Sequence, residues 1–510
     1  MGVSNTYKLL PFFYDKVYEV LPSFHDKILY KLPSFYDKYC IFVFIFKKLA
    51  IMERILITEL RKWKLSAIKK PIVLRGARQV GKSTLVRMFG KEFDVYFELN
   101  LERNADKDLF EKYNDVHELL KAIYFKFAKT PVEGQQTLLF IDEIQNSPKA
   151  VAMLRYFYED AQHIHVVAAG LLLENLMEMR QISFPVGRVQ YMALRPCSFL
   201  EFLDGINQQF DASAILSGNA DYIHERLLKR FNEYLLVGGM PEAVNMYALT
   251  NDIHALKPVY DSLIESYGND IEKYADTDLK VRTIRHILNS GWLAAAETIS
   301  FEKFGDSAYV SRDMANAFRT LEKAFLLELV YPIIETQLPV QPNYRLRPRL
   351  FWLDTGLVNY QAKTQAAVFD ATNITDVWRG KIAEHIVAQE IIALDSSVLT
   401  KRSFWRRNKK GSDAEVDLIY TFRGMLIPIE VKSGTNSKLK SLHMFMDEAP
   451  HNVAVRVWSQ PLSVDTVITT KGKSFQLINV PFYYVCVLEK VLEKILNSIQ
   501  SPFKQESGLV

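Results

Sequence analysis

"PIVLRGARQVGKSTLVRMFG", residues 71–90, is the stretch on which the reading of the chain turns. An apolar, β-type run, Ile72 to Leu74, leads into Gly76-Ala77-Arg78-Gln79-Val80-Gly81-Lys82-Ser83-Thr84, and a helical pattern follows. Glycines in such a loop let the backbone curl until its N–H groups point inward at phosphate oxygens, and the helix N-terminus adds to the attraction. A lysine at position 82 reaches the β and γ phosphates, and the Ser83 hydroxyl ligates magnesium. Residues 76–84 are therefore expected to cradle ATP with Mg2+.

A second stretch supports the first. "TLLFIDEIQ" (137–145) is a continuous apolar run, as a buried parallel strand should be, and it ends in Asp142-Glu143. A carboxylate there can hold the magnesium on Ser83, and the next can orient the attacking water. Lys82, Asp142 and Glu143 are the expected catalytic set. A third run, "IHVVAAG" (164–170), ends where a nucleotide hydrolase of this kind often carries a polar γ-phosphate sensor, yet Leu171-Leu172-Leu173 follow Gly170. That absence points toward slow turnover and switch behaviour.

"LRGARQVGKSTLV", "LLFIDEIQNSP", "PVGRVQYMALRPCSFLEFL" and "YLLVGGMPEAV" resemble the bacterial and archaeal AAA-family ATPases that carry a C-terminal domain of unknown function. The resemblance spans residues 52–485. It implies an α/β chain: a P-loop NTPase core with a parallel sheet (52–205), a helical lid (206–275), a winged-helix-like segment (276–340) and a restriction-endonuclease-like α/β domain (341–485). A C-terminal tail (486–510) would follow. By analogy Arg188, in "PVGR", is a candidate γ-phosphate or interdomain arginine. Gly238 and Gly239 of "VGGMP" mark a tight turn between helices. A winged helix is a frequent DNA-contacting module, and as often a packing domain inside ATPases.

The C-terminal half has its own signal in "EVDLIYTFRGMLIPIEVKSG" (415–434). Folded about Arg423-Gly424, it is a hairpin in which Asp417 faces Glu430 and Glu415 faces Lys432, with Val416, Leu418, Ile429 and Val431 on the other face. Like charges opposed across strands destabilise a pair, so a shared divalent cation is the expected neutraliser. Lys432 emerges on the same face as Glu430 and could stabilise a phosphoryl transition state. Glu384, at the edge of an apolar helical stripe formed by Ile382, Ile386, Val387 and Ile391, would complete the site. This is the Asp, Glu-x-Lys arrangement of the restriction-endonuclease-like superfamily, which implies Mg2+ or Mn2+ on Asp417 and Glu430. Upstream, "KRSFWRRNKK" (401–410) places six basic residues around Phe404 and Trp405, a nucleic-acid pattern or a charged edge strand.

Two readings follow. One is a magnesium-dependent ATPase joined to a nuclease-like domain that acts on DNA or RNA; the other is a nucleotide-controlled module whose nuclease-like domain only docks nucleic acid or a protein. With net charge +4, the basic excess is too mild to imply a nucleic-acid partner by itself. The three cysteines, Cys40, Cys197 and Cys486, have no metal or disulfide spacing, which suits a reducing cytoplasm. The longest apolar run, "IFVFIF" at 41–46, falls short of the roughly 20 residues of a membrane span. Repeats beginning at Leu10, Leu21 and Leu32 read as a dispensable extension (1–51). Oligomeric state is left open.

Overall fold

The computed structural model describes residues 52–170, 187–272, 275, 277–365, 380–408, 414–432 and 439–500. The N-terminal repeat, the leucines after Gly170 and the lysines at 409 and 410 lie outside the described residues. From Met52 the chain packs as one unit. Among the described residues no helix is long and apolar enough to cross a membrane.

The quoted stretch folds as expected. Ile72–Arg75 is strand β1, and Lys82–Gly90 is helix α2, preceded by Leu56–Leu65 as α1. Strands β2 (Val95–Asn100), β3 (Thr137–Asp142), β4 (Ile164–Ala169) and β5 (Gln190–Ala193) join β1 in the order β2-β3-β4-β1-β5. Every pairing in that sheet is parallel. β1, β3 and β4 are buried along their whole length, because helices cover both faces of a parallel sheet. Leu85, Phe89 and Trp63 pack one face, while Phe110, Ile123, Leu154 and Phe157 pack the other. Helix α3 (Pro148–Asp160) belongs to the second group.

The middle of the chain is helical, including α4 (His224–Val237) and α5 (Lys257–Glu272). The Gly238-Gly239 turn is a close-packing device. A Cβ on Gly238 would meet Asp354 Oδ1 at 2.2 Å, and one on Gly239 would meet the Cys197 carbonyl at 2.3 Å. Helices α6 (Asp278–Ser290) and α7 (Ser311–Lys323) pack together, and α7 runs into β6 (Leu327–Val330). β7 (Pro332–Ile333) then leaves to pair with a strand of the C-terminal half, whereas β8 (Arg349–Trp352) returns antiparallel to β6. The expected boundary at 340 therefore cuts a ribbon that the backbone hydrogen bonds keep whole.

The C-terminal half carries α8 (Thr355–Gln361), α9 (Lys381–Ala393), β9 (Phe404–Arg406), β10 (Glu415–Val416), β11 (Leu418–Phe422) and β12 (Met425–Val431). After α10 (Lys440–Glu448) come β13 (Val453–Trp458), β14 (Ser463–Ile468) and β15 (Ser474–Pro481). The sheet order is β11-β12-β13-β15-β14, parallel at its centre and antiparallel at both edges. The expected tail is instead a helix, α11 (Leu488–Gln500), which buries Val491, Leu492 and Leu496. Its apolar residues recur at helical spacing, so they find a core to cover.

Candidate functional site

The phosphate loop is held open by backbone geometry that only glycine meets cheaply. Gly81, at the start of α2, has φ +94°, the left-handed region that a Cβ disfavours. A Cβ on Gly76 would meet the Leu194 carbonyl at 2.3 Å. The loop is braced from behind by Arg54, which is buried: its Nη1 donates to the Val80 carbonyl at 2.8 Å and its Nε to Glu201 at 3.0 Å. Arg78, inside the loop, is ion-paired to Asp270 of α5, and the Tyr267 hydroxyl donates to the Arg78 carbonyl at 3.4 Å. The loop is thus tied directly to the helical middle segment.

Lys82 folds back over the loop, donating to the carbonyls of Gly76 at 3.0 Å and Ala77 at 2.8 Å. Burial pushes its ammonium down from the usual lysine value, while Glu143 and Asp142 hold it up. The Ser83 hydroxyl donates to Asp142 Oδ2 at 2.6 Å. This hydroxyl–carboxylate pair, brought together across β1 and β3, is the donor set that a magnesium ion takes in such a site. The fold thus brings Ser83 against Asp142 and sets Lys82 near Asp142 and Glu143.

Glu143 has φ +51°, a left-handed backbone on a non-glycine residue at the strand end, the sort of strain that collects at functional sites. Burial pushes its carboxyl up, Gln145 pulls it back by hydrogen bonding, and Asp142 pushes it further up. Gln145 is the residue that sequence reasoning missed. Its amide donates to Glu143 Oε2, and its own Oε1 is buried without a hydrogen-bond partner among the described residues. A Cβ on Gly170 would meet that Oε1 at 2.3 Å. A polar group therefore does stand at the tip of β4, supplied from the short 3-10 turn Ile144–Asn146 that follows β3. The signal was its place two residues beyond Glu143. Arg188 lies 3.1 Å from Glu159 on α3 in a surface ion pair, outside the set formed by Lys82, Ser83, Asp142 and Glu143.

In the C-terminal half the hairpin register is as read, with Leu418 opposite Ile429 and Phe422 opposite Met425. The two-residue turn has φ +46° at Arg423 and +77° at Gly424, both positive as a type I′ turn needs. Two expectations fail below Leu418. Glu415 does not face Lys432: the chain bends at Asp417, and β10 pairs with β9, setting Glu415 opposite Arg406. Val416 leaves with it and packs beside Trp405, not with Leu418, Ile429 and Val431.

The neutraliser present in the cluster is Arg349, at the start of β8. Its guanidinium lies 3.0 Å from Glu415, 3.4 Å from Glu384 and 4.0 Å from Asp417, and donates to the Asp417 carbonyl at 3.2 Å. Asp417 Oδ2 also accepts from the Val431 N–H at 2.8 Å. Lys432 pairs with Glu430 Oε1 at 2.8 Å, while Glu430 Oε2 is buried without a hydrogen-bond partner among the described residues. Burial first, then Asp417, push Glu384 and Glu430 above the usual carboxylate range. Burial pushes Asp417 up against Arg349. Four carboxylates (Glu384, Glu415, Asp417, Glu430) stand against three cations, Arg349, Lys432 and Arg406, the last 3.4 Å from Glu415. Yet among the described residues no group of three acidic, histidine or cysteine side chains is disposed to hold a metal ion. Asp417 and Glu430 are donor types that a hard divalent cation takes, but one oxygen of each is already engaged, by the Val431 N–H and by Lys432.

The basic-aromatic stretch is not a free platform. Phe404 and Trp405 are buried; Phe404 lies under the Arg349 guanidinium and Trp405 packs on Phe445. Lys401, Arg402, Arg406 and Arg407 face Glu322, Glu328, Glu415 and Glu448 respectively. Strand β9 sends its two adjacent rings to opposite faces, each into a packed cluster, so neither offers a free face for base stacking.

The all-parallel sheet, the loop between β1 and α2 and the acidic end of β3 define a P-loop nucleotide-hydrolase core. Residues 68–203 match a family model described as an AAA domain. Residues 228–367 and 379–482 match two models described as domains of unknown function, DUF8612 and DUF4143. Residues 68–203 are accordingly similar to AAA domains of the P-loop ATPase kind. Solved structures with some likeness include a Walker-type ATPase of Pyrococcus abyssi, 14% identical with TM-score 0.40, covering 61% of this chain and 97% of that one. Another is the Orc1 protein of Aeropyrum pernix in complex with DNA, 10% identical with TM-score 0.28, covering 61% and 91%. Neither likeness bears on function. No curated protein matches the chain.

Proposed function

We propose that the protein is a magnesium-dependent ATPase whose nucleotide cycle acts on the C-terminal carboxylate–lysine domain. The observation that carries the reading is the Ser83 hydroxyl at 2.6 Å from Asp142, beside a buried Lys82 and a strained Glu143. Residues 76–84 wrap the phosphates, and Lys82 leaves the loop carbonyls to neutralise the β and γ oxygens. Ser83 and Asp142 hold the magnesium, whose charge screens the phosphate oxygens. Glu143 orients the attacking water and accepts its proton, a task helped by a raised carboxyl. Gln145 holds Glu143 in place. Because Arg78 is tied to Asp270 on α5, a phosphate that draws Arg78 inward releases that tie, which supplies a route from nucleotide to the helical segment.

Phosphate release from ATP with magnesium tests this. Wild type should turn over, Lys82→Ala should lose nucleotide binding, and Glu143→Gln should keep binding while slowing turnover at least about 100-fold. Wild-type turnover in Glu143→Gln would remove its role.

A second reading of the C-terminal domain rests on Arg349. With its guanidinium among Glu384, Glu415 and Asp417, the cluster is closed by the protein's own cation, and the domain docks nucleic acid or a protein without cutting. Incubating wild type and Arg349→Ala with DNA or RNA and Mg2+ or Mn2+ separates the readings. Cleavage by wild type supports the nuclease-like role, and no cleavage by either supports docking.

A further inference from the structure

Strand β14 is the open edge of the C-terminal sheet. Among the described residues it pairs with β15 alone, from Ser463 opposite Asn479 to Ile468 opposite Ser474, and its outer side bonds to no strand. At the other edge of the sheet the chain entering β9 is in the way: the Ile419 N–H of β11 donates to the Ser403 carbonyl at 2.8 Å. The sheet can therefore be extended from one side only.

The open edge lacks the usual protection. Its sequence, "SVDTVI" (463–468), holds no proline or lysine, and no bulge interrupts its register with β15; these are the devices that commonly blunt an exposed edge. Its one charge is drawn back over the sheet, for Asp465 Oδ2 accepts from Asn479 Nδ2 at 2.8 Å and lies 3.8 Å from Arg456. Val464 and Ile468, on one face of the strand with Thr466, are 42% and 65% exposed. A row of outward backbone donors and acceptors beside two uncovered β-branched side chains is a template for another strand.

We infer that β14 docks on the β14 of a second copy of this chain and joins the two C-terminal sheets. A second copy fits because the strand is complementary to itself. Hydrogen bonding between two such edges needs outward-pointing residues opposite outward-pointing residues, which leaves few antiparallel registers. The one centred on Asp465 sets two carboxylates against each other and is disfavoured. The one centred on Thr466 sets threonine against threonine, Asp465 against Val467, and Val464 against Ile468 of the second copy. The two exposed apolar side chains then cover each other on the same face, and no like charges meet. A two-fold pairing of this kind is closed. With the β11 edge occupied, it ends at two chains instead of growing into a fibre. Strands of six residues make a small interface, so the dimer is a weak one.

Sedimentation of the full chain, from about 1 to about 100 μM, should show a monomer–dimer equilibrium. Val464→Lys combined with Ile468→Lys opposes lysines twice across the axis and should weaken it at least about tenfold. Val464→Lys combined with Ile468→Glu opposes lysine to glutamate and should restore it, a result that general surface stickiness would not give. Circular dichroism confirms the fold of each variant. Should the double-lysine protein fail to fold, Thr466→Lys, which sets two lysines at the axis itself, decides in its place. A wild type that stays monomeric throughout leaves the edge to some other strand and overturns the inference, as does association that the lysine variants leave unchanged.

Discussion

The Tyr234 hydroxyl and the Glu390 carboxyl stand 2.6 Å apart, although 156 residues separate them in the chain. The same hydroxyl lies 2.7 Å from the Cys197 carbonyl, and it has one hydrogen to give. Both contacts are satisfied when Glu390 is protonated and donates to Tyr234. Burial pushes that carboxyl up to about 7, against the Tyr234 and Phe199 hydrogen bonds. The contact clamps α9 of the C-terminal half onto α4 and the start of helix Phe199–Gly205.

The sign of the pH dependence follows. A carboxyl raised in the folded state stabilises fully below its ordinary 4.5, and that stability is lost as pH rises through about 7. The window amounts to on the order of 3 kcal/mol. Thermal melts of wild type should therefore fall across it, and Glu390→Gln, whose amide can donate at any pH, should flatten the fall. Identical slopes in the two proteins would remove the clamp from the account.

Gly170→Ala should slow ATP turnover with little change in nucleotide affinity. The new Cβ displaces Gln145 Oε1, and Glu143 loses its support. Misplacing a catalytic group by about 1 Å lowers rates on the order of 100-fold. Turnover and binding measured on one preparation check this; a loss of affinity matching the loss of rate would contradict it.

Arg349→Leu should destabilise the protein by about 3–5 kcal/mol, because it leaves buried carboxylates without their cation. The deficit should shrink between about pH 8 and about pH 5, as Glu384 and Glu430 take up protons more readily without it. Urea titrations at the two pH values measure both effects. A deficit that grows toward acid would mean the cluster is not held by charge.

Leu492→Ala, in the helix expected to be a tail, should cost about 2–5 kcal/mol by cavity formation. Glu493→Ala, beside it on the exposed side, should stay within about 0.5 kcal/mol. Equal, small effects at both positions would return this segment to a tail.

What was readable in the sequence shares one property: each feature lies within a few residues of its partner. The loop at 76–84 needs only its own glycines and the helix after it. Asp142 and Glu143 need only the end of an apolar strand. The hairpin about Arg423 and Gly424 registers itself, since a two-residue turn leaves one way to pair the strands. The bend at Asp417 was beyond reach, because β9, which draws β10 away, begins outside that hairpin.

The sequence alone was enough for the P-loop core, the meeting of Ser83 with Asp142 and the local register of the C-terminal hairpin. Tertiary structure decided which charges meet. Arg349 enters the carboxylate cluster from 68 residues before Asp417, Arg78 is claimed by Asp270 from 192 residues away, and Phe325 is clasped by arginines 75 and 195. Hydrogen-bonded loops and turns are encoded by neighbours along the chain. The partner of a buried charge is whichever opposite group the packing brings within a few ångströms, and no spacing in the sequence specifies it.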